Sequence, residues 1–469
     1  MQQGIQLETL LTIFNVVRSW WYKKTKKRTV GSLRMPENAS SRLPHEVLDT
    51  ILENLRQDSQ SLRQCALAAR CLLPVAQRVI FCTVYLAENE PNSSDVDMMA
   101  RFHRLLDLSP HLAKYVTEAT ILLHPTEWTD NLSEHPLSLI IPQLHSLRWL
   151  SFNFGNTINP MTFHQLHTLL GGSSIPRIRS LRTNFLYVAS MGDLARICDW
   201  LAEGGDLQEL QFEHVDISDT TSPVNTGYHS RSATAAQLKK LTISHRLKDI
   251  DSFLEWAISS ESCLRFDELR ELTVGDLTDQ SSEHLLRILH TARSSIRQIT
   301  FDTKVPSLSS IAFESFSALR SIAYHVIVPE ESSLREWTNI LAQHKELSLD
   351  SFIVNVNTYR RRADDPWTGL LNQPWKELEA AFMINTKRKK LEMRLGFSPT
   401  KVDIGMIEEC FPLSHTPSHV ARERLVVKQS IIFVEANMVK EQQWEYKPGY
   451  LEWKNTSEQE APLPSGVSS

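Results

Sequence analysis

Residues 207–212 read LQELQF, residues 238–243 read LKKLTI and residues 269–274 read LRELTV. Each stretch has apolar residues at its first, fourth and sixth positions, and each begins 31 residues after the one before. Alternation over the last three positions marks a short strand with one buried face. The pattern recurs as Val116-Ala119-Ile121, Leu147-Leu150-Phe152, Ile296-Ile299-Phe301, Leu319-Ile322-Tyr324 and Leu349-Phe352-Val354, with a weaker copy at Arg388-Leu391-Met393. Leu181 to Val188 reads as a looser copy in which Asn184 takes the middle apolar place.

The intervals between copies carry the period of a helix. Leu194, Ile197, Cys198 and Leu201 share one helical face, as do Leu247, Ile250, Leu254 and Ala257, and then Leu285, Ile288, Leu289 and Ala292. Leu334, Trp337, Ile340 and Leu341 follow the same rule, and so do Trp375, Leu378 and Phe382. Strand, helix and strand in regular succession predict an α/β fold with parallel strands joined by crossover helices. Stacked without closure, such units form a curved solenoid. The unit length is close to that of a leucine-rich repeat. The pattern resembles that family in degenerate form, since the consensus Asn after the strand is missing from most copies.

Period-two alternation then assigns the outward side chains. They are Trp149 and Ser151, Glu209 and Gln211, Lys240 and Thr242, Glu271 and Thr273, and Gln298 and Thr300. On a concave face these residues would line a surface for a polar protein target, with Trp149 as an aromatic anchor.

Composition narrows the function. The chain has 469 residues, a formal net charge of -5 and a pI of about 6.4, which argues against a nucleic-acid binder with a basic domain. Six cysteines, Cys65, Cys71, Cys82, Cys198, Cys263 and Cys410, form no C-x-x-C pair. Such sparse usage suits a reducing compartment, the cytoplasm or the nucleus. Glycine-rich phosphate loops, a G-x-S-x-G elbow and zinc-ligand spacing are all missing. The expectation is therefore a binding protein with no catalytic residue, no cofactor and no metal. His164 and His167 lie at helical spacing without a third ligand. Asp364 and Asp365 read as an exposed loop beside Arg360, Arg361 and Arg362, and Lys387 to Lys390 as a solvated repeat edge.

At the N-terminus, apolar residues from Leu7 to Val17 precede Trp20, Trp21, Tyr22 and the basic run Lys23 to Arg28. The apolar stretch is too short to span a bilayer. Residues 1–40 read as an extension and linker with a solvated basic run, the alternative being a helix lying on a membrane surface. At the other end, residues 413–469 read as one strand, Leu425 to Val434, and a disordered tail from Ser457.

Residues 43–86 read LPHEVLDTILENLRQDSQSLRQCALAARCLLPVAQRVIFCTVYL. Val47, Leu48, Ile51, Leu52 and Leu55 share one helical face. A second helix begins near Ser59 or Ser61, either serving as its N-cap, and Pro74 opens a third. The combination of Leu43-Pro44 with Glu46, Ile51-Leu52, Leu62 and Cys65, and the closing Leu-Pro-x-Ala-Gln-Arg-x-x-Phe of Leu73 to Phe81, resembles the F-box family in a form common in mushroom-type fungi. Leu72 stands where that family usually has Trp. The resemblance implies that residues 41–88 are an F-box that docks on a Skp1-like linker of a cullin ubiquitin ligase through Leu43, Pro44, Glu46, Val47, Ile51, Leu52 and Leu62. Residues 89–412 would then be a leucine-rich-repeat-like solenoid that binds a protein substrate. The expected function is a substrate-recruiting adaptor; the alternative is an F-box scaffold acting outside ubiquitination.

Overall fold

The computed structural model describes residues 45–56, 58–68, 72–87, 98–123, 132–154, 160–172, 177–203, 206–219, 235–243, 247, 249–275, 277–301, 310–327, 332–357, 374–385, 387–395, 425–435, 438–447 and 450–454. They fall into two compact units. One holds the described residues up to 76 together with 432–435 and 438–442, and the other holds the rest.

In the first unit, α1 (His45–Glu53) and α2 (Ser59–Ala68) precede the opening turn of α3 (Leu73–Phe81). Leu48, Leu52, Leu55, Leu62, Val75 and Ala76 are buried. The N-cap of α2 is neither of the serines expected: the Asp58 carboxylate accepts from the backbone N–H and the hydroxyl of Ser61. A carboxylate at this position meets the orphan donors and the positive end of the helix dipole together. The Ser61 hydroxyl bond, helped by the backbone bonds, holds the Asp58 carboxyl below its usual range.

The second unit is a mixed α/β body built on one large sheet. Its strands are β1 (Thr83–Ala87), β2 (Glu118–Leu122), β3 (Trp149–Asn153), β4 (Ser180–Ser190) and β5 (Glu209–Asp219). After β6 (Ala236–Gln237) come β7 (Lys240–Ile243), β8 (Leu264–Arg265), β9 (Glu271–Val274), β10 (Gln298–Phe301), β11 (Ser321–Ile327), β12 (Ser351–Asn357) and β13 (Leu391–Leu395). The sheet follows chain order from β1 to β13, except that β6 and β8 pair with each other apart from it. Each strand pairs in parallel with the next. Crossover helices make this possible, since parallel neighbours cannot be joined by a tight turn. The principal ones are α4 (Met98–Leu108), α5 (Pro136–Ile140), α6 (Phe163–Leu169), α7 (Met191–Ala202), α8 (Ile250–Ile258), α9 (Asp279–Thr291), α10 (Ser332–Gln343) and α11 (Trp375–Met383).

Two rows of side chains, in register across the sheet, make its core face. Leu150, Leu181, Leu210, Leu241, Leu272, Ile299, Ile322 and Phe352 form one, and Phe152, Phe212, Ile243, Val274, Phe301, Tyr324 and Val354 belong to the next. All are buried in one cluster with the apolar faces of the helices. Complete burial of each such aliphatic or aromatic side chain is worth about 1.5–3 kcal/mol.

Three expectations are corrected. The copy on β4 is Ile178-Leu181-Thr183, because Leu181 lies opposite Leu150 and Thr183 opposite Phe152. A threonine in the core row had hidden the register, and its hydroxyl is buried without a partner. Leu247 does not open α8. It bridges Val215, and the helix starts at Ile250 behind Asp249, whose carboxylate accepts from the Ser252 N–H at 3.3 Å. In the C-terminal region, β14 (Leu425–Glu435) is followed by β15 (Met438–Lys447) and β16 (Tyr450–Lys454), where one strand was expected. β14 continues the parallel order from β13, and β15 and β16 pair antiparallel. The run KEQQWEYK within β15 is too polar to announce a strand by apolar alternation. The N-terminal extension, Asp364-Asp365 and the tail from Ser457 lie outside the described residues. Among the described residues no helix is long and apolar enough to cross a membrane.

Candidate binding surface

The face of the sheet opposite the core carries two more rows. Glu118, Trp149, Ser180, Glu209, Lys240, Glu271, Gln298 and Ser321 stand side by side, and so do Thr120, Ser151, Arg182, Gln211, Thr242, Thr273, Thr300 and Ala323. The ten outward residues expected from alternation therefore lie together, five in each row. Nine are half-buried or exposed. Thr300 differs: it is buried, as is Ala323 beside it, so the second row closes at β10 and β11.

Charges on this face are matched across neighbouring strands. Lys240 pairs with Glu271 at 3.3 Å, and Arg182 with Glu213 at 2.8 Å. At the far end Glu392 lies between Lys390 and Arg394. Burial alone would raise the Glu392 carboxyl, but the hydrogen bonds from those two cations outweigh it and hold the group at about 2. The face is not flat. Phe185 and His214 occupy the left-handed region at φ 56 and 54 on adjacent strands, and their rings stack with centroids 4.5 Å apart. Non-glycine residues adopt this conformation at a cost, and here two copies of it set exposed Phe185 on half-buried His214, next in sequence to Glu213 of the Arg182–Glu213 bridge.

In the basic run at Lys387 to Lys390, Lys387 and Lys389 are solvated as expected, and Arg388 is not. Lys387 pairs with Glu346 and Lys389 with Asp350. Arg388, at the position of the first leucine of a repeat, is fully buried and donates to the carbonyls of Leu341, His344, Leu347 and Ala381. A guanidinium has enough donors in one plane to serve several carbonyls at once, so it fills an apolar position without an unsatisfied charge.

In the first unit, Ile51 is half-buried, while Leu52 and Leu62 are 2% and 1% exposed. Those two leucines shape the packing beneath the surface. Leu43 and Pro44, and the side chains of Glu46 and Val47, lie outside the described residues. Leu67, which the motif does not single out, is 88% exposed on α2.

Other candidate residues are held by packing. His167 is half-buried against Trp200, ring centroids 5.0 Å apart, and burial first, then His164, pushes its pKa down. Among the described residues no three His, Cys, Asp or Glu side chains are placed to hold a metal. Burial pushes the Cys198 thiol well up and the Cys263 thiol to about 11, with Asp199 adding to both. Both stay protonated at neutral pH and are poor nucleophiles.

One set of residues escaped the reading of the sequence. The second position of the repeat, where the chain enters each strand, is Arg148, Arg179, Lys239, Arg270, Arg297 and Arg320 in six copies. The carbonyl of each accepts two N–H groups from the entry to the neighbouring strand, as Arg148 O does from Arg179 and Ser180 at 2.8 and 2.9 Å. The signal lies in the aligned copies, at a position that precedes the alternation and so carries no weight in it. The chain matches no protein-family model and no curated protein.

Proposed function

We propose that the chain is a binding adaptor, in which an F-box at residues 41–88 docks on a Skp1-like linker of a cullin ubiquitin ligase and a leucine-rich-repeat-like solenoid captures a protein target. The observation that carries the second half is the open sheet face. Side chains of many repeats stand there in register, polar, accessible and interleaved with Trp149 and the Phe185–His214 pair. A wide face of this composition suits a protein ligand better than a small molecule, which needs a concave pocket. The first half rests on the resemblance of residues 43–86. Short amphipathic helices carrying an exposed leucine, as Leu67 is, suit a helical partner that covers them.

Co-purification tests the docking half. The full chain is expected to bring down a Skp1-like protein and a cullin, and Leu43→Ala with Pro44→Ala to lose both while its circular dichroism is unchanged. Undiminished recovery with the variant would remove the F-box assignment. Recovery of the linker without a cullin would favour the scaffold.

A further inference from the structure

The six cations at the strand entries lie along one edge of the sheet in a row broken once. Backbone hydrogen bonds connect the entry residues of successive strands of the sheet, from Arg148 on β3 to Arg320 on β11, with Gln208 interposed on β5. The stripe has defined ends, since Thr117 precedes it on β2 and Asp350, already paired with Lys389, follows it on β12. Arg148, Arg270, Arg297 and Arg320 are exposed, and Arg179 and Lys239 half-buried. None of the six belongs to an ion pair among the described residues. Arg320 donates only to the carbonyl of Leu319, and Arg179 Nε is buried without a partner. On the outward face, by contrast, Lys240 is matched by Glu271 and Arg182 by Glu213.

The backbones of neighbouring entry residues lie one strand spacing apart, about 4.8 Å, and like charges borne on such neighbours repel one another. A polyanion laid along the row would relieve that repulsion and supply the missing acceptors. Five of the six are arginines, whose planar guanidinium suits paired hydrogen bonds to carboxylates. We propose that this stripe binds an acidic, extended segment of the target protein. The inference rests on the reading of the repeats as the target-binding half and adds what they recognise. Six strand spacings cover about 29 Å, which an extended peptide spans in about nine residues. The reading of this half as the one that holds a protein target selects an acidic peptide; a nucleic acid, whose phosphates arginines also bind, is the outcome that the third probe below tests.

The test uses the full-length chain and fluorescence anisotropy. One labelled peptide, a little longer than the stripe, alternates Asp with Ser; a matched peptide has Asn for Asp; a single-stranded oligouridine of equal charge is the third probe. The Asp peptide is expected to bind, more weakly as salt rises, and the Asn peptide not to bind. Arg270→Gln with Arg297→Gln should weaken the Asp peptide at least tenfold, and Arg148→Gln with Arg179→Gln, at the other end of the row, should do the same. The second pair keeps the test decisive if the first variant does not fold. Equal binding of the Asn peptide, or unchanged affinity in a folded variant pair, overturns the proposal. Tighter binding of oligouridine through the same arginines also overturns it and assigns the stripe to nucleic acid. Because no ligase component is present, these outcomes stand apart from the co-purification result, which decides the docking reading by itself.

Discussion

Replacing Arg388 with methionine removes a fully buried guanidinium and keeps much of its aliphatic length. Four carbonyls lose a donor, with unequal consequences. Leu347 O keeps Asn385 Nδ2 at 2.8 Å, and His344 O keeps the Leu347 N–H at 3.1 Å. Leu341 O and Ala381 O lose bonds of 2.8 and 2.7 Å at the ends of α10 and α11. A buried polar group left without its partner costs about 1–3 kcal/mol, so these two cost about 2–6 kcal/mol. Methionine offsets part of this, since an apolar group at a buried site avoids the desolvation of a charge. A net loss of about 3 kcal/mol is expected, about a hundredfold or more in the folded-to-unfolded ratio. Hydrogen exchange read by mass spectrometry is the suitable assay, because opening should concentrate in residues 332–395 and leave the strands near β3 protected. Arg388→Lys should recover little, since one ammonium cannot reach all four carbonyls. Unchanged exchange across 332–395 in the methionine variant would refute the view that Arg388 holds the two helix ends together.

Glu392, at about 2 against a usual 4.5, contributes stability that is fully present above pH 4.5 and is lost as pH falls from there toward 2. Allowing for solvent around Lys390 and Arg394, the contribution is about 2 kcal/mol. Glu392→Gln should therefore flatten the acid limb of a denaturation-versus-pH curve, and an identical limb in the variant would contradict this. Gly171 has φ +83, and a Cβ there would sit 2.3 Å from Pro142 Cγ. Gly171→Ala should lower stability by about 2 kcal/mol in urea denaturation; a neutral result would mean that the turn re-forms. Lys240→Glu or Glu271→Lys should change stability by less than about 1 kcal/mol, as for other exposed pairs, yet weaken target capture in a pull-down. Capture unaffected by both would remove these residues from the binding surface.

The sheet was legible because its core positions are periodic and apolar. Leu210, Leu241 and Leu272 recur at one spacing, and a register follows from them. Polar residues at core positions broke the reading locally. Thr183 shifted the apparent copy on β4 by three residues, and Arg388, though it stands at the first position of the weaker copy, also reads as part of a charged surface run. In both cases the tertiary setting decides, by shielding a hydroxyl or by supplying carbonyls from other elements, and neither is visible in a neighbouring residue. The left-handed pair Phe185 and His214 likewise depends on two strands bulging together. The outward rows followed from alternation alone, except at Thr300, whose burial no pattern in its own strand announces. The basic stripe needed the register first, because its members are neighbours only once the strands are aligned.

The central claim, that one half of the chain recruits a ligase and the other holds its target, is tested most directly by the lifetime of a captured target. The target is identified by proximity labelling. Its half-life is then measured in cells expressing the full chain or the Leu43→Ala, Pro44→Ala variant, with binding confirmed in both. The variant is expected still to bind the target and to lengthen its half-life, because the ligase is no longer brought to it. Equal half-lives, indifferent to proteasome inhibition, would contradict the adaptor reading and leave a scaffold in its place.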